Sequence, residues 1–113
     1  MNEEYKFIKE NGIFYTDKKL ANKMVNLLNI NYRTDFTLIE PAVGEGHILS
    51  LIVEKYFLAN SDKSENEKVN FLEHHIAGFD IREEAIEACI NKLDTLSKKY
   101  IDRKKNLCYP MQV

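Results

Sequence analysis

The sequence is poor in several things that would define other classes of protein. It has two cysteines, Cys89 and Cys108, at no spacing that suits a metal site or a redox motif. They are expected to be reduced thiols in a cytoplasmic protein. It has two prolines, Pro41 and Pro110, which are not adjacent. It has no surplus of positive charge. Lys plus Arg is 16 and Asp plus Glu is 18, for a formal net charge of −2. A protein built for non-specific phosphate binding needs a basic surplus, so that class is disfavoured. No apolar run approaches the ~20 residues of a membrane span, and no membrane partner is expected. The start, Met1-Asn2-Glu3-Glu4, lacks the basic-then-apolar pattern of a secretory signal. There is no internal repeat and no low-complexity tract. What remains is 113 residues, 44% hydrophobic and 30% charged. That length and composition predict one globular domain with one modest core.

Residues 1–35 read as a helical N-terminal segment. Leu20, Ala21, Met24, Val25, Leu27 and Leu28 recur at helical spacing, with Lys18, Lys19, Asn22 and Lys23 opposite. Thr16 or Asp17 suits the N-cap. Residues 36–113 read as a βαβα unit and the start of a third strand. Phe36-Thr37-Leu38-Ile39 is short, apolar and partly β-branched, as in a buried strand, and Pro41 ends it. Ile48, Leu49, Leu51, Ile52, Val53, Tyr56 and Phe57 then follow helical spacing. Residues 60–70 are polar and without period, which predicts an exposed loop. His75 to Ile81 reads as a second strand. Ala85, Ile86, Cys89, Ile90, Leu93, Leu96 and Tyr100 trace one face of a long helix. Residues 106–113 can begin a third strand, limited by Pro110. Alternating strands and helices predict an α/β fold with a parallel sheet of two to three strands and flanking helices. Such sheets bind ligands beyond the carboxyl ends of their strands. Here those ends carry Glu40 to Gly46 and Asp80 to Arg82.

The first of these segments reads Glu40-Pro41-Ala42-Val43-Gly44-Glu45-Gly46. Two glycines two apart, between strand and helix, let a ligand approach the backbone. The dinucleotide fingerprint would need glycine or alanine at position 49, where Leu49 stands. Glu40 and Glu45 would repel a pyrophosphate and suit a cation, or a ligand bearing amino groups and hydroxyls. Asp80, at the end of the second strand, has two readings. It can accept hydrogen bonds from ribose hydroxyls, or it can cap the following helix.

Three segments, in order, resemble the adenine-specific amino-methylating DNA methyltransferases of restriction-modification systems. Gly12-Ile13-Phe14-Tyr15-Thr16 resembles the segment that precedes their cofactor loop. Glu40 to Leu49 resembles the loop itself, D/E-P-A-x-G-x-G-x-F/L-L. Gly78-Phe79-Asp80-Ile81 resembles the strand end that holds the cofactor ribose. The resemblance implies a Rossmann-like fold and an S-adenosylmethionine site. Phe14, Tyr15 and Thr16 would line the methionine end. Glu40, Pro41, Ala42, Gly44 and Gly46 would wrap the methionine and sulfonium. Asp80 would bind the ribose and Ile81 would pack on the adenine. Asp17 departs from the proline usual in this group, and Arg82 from the acidic residue common there.

The family's catalytic segment, Asn- or Asp-Pro-Pro-Tyr, does not occur in the 113 residues. The resemblance therefore covers the cofactor-binding front half of a catalytic domain. No catalytic residue and no metal ligand is assigned. The chain alone is expected to be inactive, DNA being contacted through a downstream region or a partner chain. Two other readings stand beside this one: a non-catalytic interaction module working with a partner, and a nucleotide-binding Rossmann module. Self-association through an open strand edge is expected. His47 is read as solvent-facing. His74 and His75 would point to opposite faces of a strand. Lys98, Lys99, Arg103, Lys104 and Lys105 are read as favourable charge near a helix C-terminus.

Overall fold

A computed structural model describes residues 18–102 and 107–113. Phe14, Tyr15, Thr16 and the proposed cap at Thr16 or Asp17 lie outside the described residues, as do Arg103 to Lys105. The first described element is helix α1 (Lys18–Leu27), whose Ala21 and Val25, one turn apart, are buried. The sequence expects the whole apolar stripe to pack. Instead Leu20, Met24, Leu27 and Leu28 are exposed. The reason is geometric. α1 lies against the helix that follows the glycine loop, and that packing covers only a narrow stripe of its surface.

Strand β1 (Leu38–Glu40) leads through the glycine loop into helix α2 (His47–Ala59). Pairing begins at Leu38 rather than Phe36. Phe36 instead enters an aromatic cluster, edge-on to Tyr32, Tyr56 and Phe71. α2 ends at Asn60, which is fully buried. Its amide donates to the carbonyls of Tyr56 and Tyr32, and Arg33 donates to its oxygen. Free carbonyls at a helix end need such partners.

Residues 60–70 depart from the expected loop, because helix α3 (Glu65–His74) begins within them. The polar face of this helix masks its period. Its start signal is nonetheless in the sequence. Ser64 accepts from the Glu67 amide at 3.2 Å, and its hydroxyl donates to the Glu67 carboxylate at 3.3 Å. This is a capping pair of the Ser-x-x-Glu kind. Glu65 and Glu67 also put negative charge in the first turn, where the helix dipole favours it. Phe71 and Leu72 are buried on the inner face.

Strand β2 (Ile76–Phe79), helix α4 (Glu83–Ser97) and strand β3 (Met111–Gln112) complete the described fold. His74 ends α3 and His75 caps it, so the two do not alternate along a strand as expected. Tyr100 lies past the end of α4, yet its ring stacks on Phe57 with centroids 4.9 Å apart. The sheet is parallel in the order β1-β2-β3, with Leu38 opposite Ile76 and Gly78 opposite Met111. Among the described residues the fold is therefore α/β, a three-stranded parallel sheet with four helices. Phe57, Leu49, Leu72, Ile76 and Leu93 are among its fully buried side chains. Burying each contributes roughly 1.5–3 kcal/mol. No helix among the described residues is long and apolar enough to cross a membrane.

Candidate functional site

Parallel strands all deliver their carboxyl ends to one edge of the sheet. Here that edge carries the Glu40–Gly46 loop from β1 and Asp80–Arg82 from β2. The two segments are tied by backbone and side chain. The Val43 amide donates to the Phe79 carbonyl at 2.8 Å, and the Gly44 amide donates to Asp80 Oδ2 at 3.0 Å. Asp80 Oδ1 accepts from the Arg82 amide at 2.9 Å and from Arg82 Nε at 3.2 Å. The Asp80 side chain keeps 9% of its surface exposed. Burial pushes its pKa up, but hydrogen bonds from the Arg82 side chain, the Arg82 amide and the Gly44 amide, with the Arg82 charge, bring it below the usual carboxylate range. Asp80 is thus an anion that locks the loop to the second strand. It does not cap α4, because Arg82 holds that position.

The loop needs both glycines for different reasons. Gly44 and Gly46 have φ of +56° and +85°, in the left-handed region that side chains disfavour. A Cβ on Gly44 would meet nothing within 4 Å. A Cβ on Gly46 would sit 2.7 Å from Cys89 Sγ. Gly46 is buried against α4, and the Cys89 thiol there is pushed up to about 11 by burial, partly offset by Lys92. Gly78 is also a point of close approach. A Cβ there would be 2.6 Å from Met111 Sδ and 3.0 Å from Val43. Two of the four glycines thus let the loop-helix junction and the β2–β3 contact close.

The remaining predicted residues fall around the same edge. Glu40 ends β1 and accepts from the Ala42 amide at 3.3 Å. Pro41 and Ala42 are exposed at the turn, while Val43 is buried beneath them. Ile81 is 93% exposed, with its side chain available to a ligand. His47 is half-buried, not fully solvent-facing. Its Nδ1 lies 2.9 Å from Lys92 Nζ, and its Nε2 lies 3.5 Å from Glu45. A lysine ammonium can only donate, so Nδ1 accepts and the ring proton sits on Nε2, toward Glu45. The loop's two carboxylates, Glu40 and Glu45, thus flank an edge that also holds half-buried Asp80.

Val43, Arg82, Cys89 and Lys92 shape this edge without having been marked as site residues. Cys89 and Lys92 are far in sequence from Gly46 and His47, which they touch, and Val43 acts through its backbone, so no local pattern marks them; Arg82 lies only two residues from Asp80, where its bond to the carboxylate depends on the local turn. Among the described residues no group of three His, Cys, Asp or Glu is placed to hold a metal ion. No protein-family model matches the chain, and no curated protein matches it at a significant level.

Proposed function

We propose that the chain is the cofactor-binding part of an S-adenosylmethionine-dependent DNA methyltransferase that acts on the exocyclic amine of adenine in a restriction-modification system. The observation that carries this reading is the joined edge. A Glu-Pro-Ala-x-Gly-x-Gly loop leaves one parallel strand and is hydrogen-bonded through Gly44 to the acidic end of the next. Carboxylates around such an edge favour a sulfonium cation and disfavour a pyrophosphate. Exposed Ile81 provides an apolar surface for an adenine ring. Asp80 would meet the ribose. A carboxylate has about four acceptor sites, and three are filled by Gly44 and by the amide and Nε of Arg82. One ribose hydroxyl therefore fits at once, and a second requires Arg82 to swing away. The methyl-transfer chemistry itself would need a group to hold the flipped base, and the Asn- or Asp-Pro-Pro-Tyr segment that does so in this family is not among the 113 residues.

Calorimetry with S-adenosylhomocysteine and with NAD tests the reading. S-adenosylhomocysteine should bind weakly but saturably, and NAD should not bind. Asp80→Ala and Gly46→Val should abolish binding, and Ile81→Glu, at a fully exposed position, should weaken it without disturbing the fold. Equal binding of NAD, or an affinity indifferent to all three changes, refutes the proposal. The edge of β1, unpaired among the described residues, supports a second reading, a module completed by a partner chain. Co-purification of a stoichiometric partner that restores cofactor affinity would favour it.

A further inference from the structure

A second concavity lies at the other end of the sheet, where chain enters the strands. It is a cavity of about 270 Å³ lined by Thr34 and Asp35 before β1, by Tyr56 of α2, by Lys63, by Glu67 and Phe71 of α3, and by His75 before β2. None of these residues belongs to the loop edge described above. Tyr56 and Phe71 stack at its base, with ring centroids 3.7 Å apart and planes 12° from parallel. Tyr56 is only 3% exposed. Its hydroxyl nevertheless has no hydrogen-bond partner among the described residues. A buried hydroxyl left unpaired is costly, and its presence at a cavity wall marks a place where something from outside completes the bond.

The surroundings define what that is. Glu67 and Asp35 both lie close enough to act on the Tyr56 phenol, whose pKa is raised by burial first and then by these two charges. His75 Nδ1 is 3.0 Å from the Phe36 carbonyl. A carbonyl can only accept, so Nδ1 carries a proton, and in the neutral ring Nε2 is the acceptor. The lining thus offers the acceptors of Asp35, Glu67 and His75, with the amides of Asn66 and Asn70 able to accept or donate. Lys63, the one ammonium in the lining, places Nζ 5.4 Å from the centroid of the Tyr56 ring.

We propose that this cavity binds a small aliphatic amine in its ammonium form, held by Asp35, Glu67 and the Tyr56 hydroxyl. An ammonium has three donors, and Asp35, Glu67 and Tyr56 all line this one cavity. The alkyl chain would lie on the Tyr56–Phe71 stack. Asp35 and Glu67 are exposed, so solvent screens them and the affinity is expected in the millimolar range. Lys63 competes for the same place.

Titration with n-butylamine at neutral pH, followed by NMR of the Tyr56, Glu67 and His75 signals, tests this. Saturable shifts confined to the cavity residues are expected, with none from butyrate or n-butanol at the same concentration. Asp35→Asn and Glu67→Gln should each weaken binding about tenfold, the equivalent of one charge-assisted hydrogen bond. Tyr56→Phe should weaken it severalfold while leaving the fold intact, since it removes an unpaired buried hydroxyl. Lys63→Met, by removing the competing ammonium, should tighten it two- to threefold. No saturable shift, an equal response to butyrate, or an affinity unchanged in the Asp35→Asn, Glu67→Gln double variant would overturn the proposal.

Discussion

Replacing Gly46 by alanine should be among the most damaging single-methyl additions to this protein. The structure separates two causes. The first is torsional. At φ +85° an L-residue pays for the left-handed conformation, by about 1–2 kcal/mol. The second is steric. The new Cβ would lie 2.7 Å from Cys89 Sγ, 3.3 Å from its Cβ and 3.4 Å from its Cα. Cys89 is fully buried in α4, so its side chain has packed neighbours on every side and its Cβ and Cα are held by the helix. Overpacking of this kind costs about 1–3 kcal/mol. Together the two give about 2–5 kcal/mol, a large share of the roughly 5–15 kcal/mol that holds a small domain folded. Gly44→Ala is the internal control. Gly44 also has positive φ, but its Cβ would meet open space. It should lose only the torsional part, reduced by the ~0.4–1 kcal/mol that alanine gains by restricting the unfolded chain. Urea denaturation followed by circular dichroism measures both. Cys89→Ala added to Gly46→Ala removes the 2.7 Å contact but not the strain, so the double variant should recover about 1 kcal/mol relative to additivity. If Gly46→Ala is no worse than Gly44→Ala, or if the cycle is additive within ~0.5 kcal/mol, the packing argument is wrong.

Four further outcomes are expected. Asp80 has a depressed pKa in the folded chain; its contribution to stability is therefore full above the unfolded carboxylate value of about 4 and is lost as pH falls through the folded value. Acid titration of the Gly44 amide's hydrogen exchange should show the loop loosening in that range, and Asp80→Asn should flatten the profile. Cys108 is exposed and Cys89 is buried with a raised pKa, so a thiol reagent at pH 8 should label Cys108 quickly and Cys89 only on unfolding; equal labelling would mean that α4 does not pack on Gly46. β1 is an edge strand among the described residues, Ile39 on it is 62% exposed, and Leu27 at the end of α1 and Leu28 just after it are exposed. Such surfaces recruit other chains, and sedimentation should show concentration-dependent association; a stable monomer with no dye-binding surface would contradict this. The purified 113-residue chain should transfer no methyl group to unmethylated genomic DNA in a radiolabel assay, because no group in it is assigned to hold an adenine out of the stack; incorporation free of host enzymes would overturn the functional reading.

The sequence by itself determined the alternation of strand, glycine loop and helix. That information is local. β-branched runs, helical periodicity and a proline at a strand end act over a few residues, and the elements at Leu38–Glu40, His47–Ala59, Ile76–Phe79 and Glu83–Ser97 form where those patterns lie. The sequence also held the start signal of α3, the Ser64–Glu67 pair, but the polar face of that helix hid its period, so buried Phe71 and Leu72 were not legible as one stripe. Tertiary structure alone decided the rest. α1 reads as fully amphipathic, yet only Ala21 and Val25 are covered, because burial depends on what lies opposite and periodicity does not know it. Asp80 offered two readings, ribose ligand or helix cap; the fold gives the cap position to Arg82 and adds a contact neither reading contained, the Gly44 amide from 36 residues away. The need for glycine at position 46 comes from Cys89, and the tautomer of His47 from Lys92. These contacts join residues distant in the chain. They exist only once the parallel sheet has brought the carboxyl ends of β1 and β2 to one edge, and no spacing along the sequence encodes that distance.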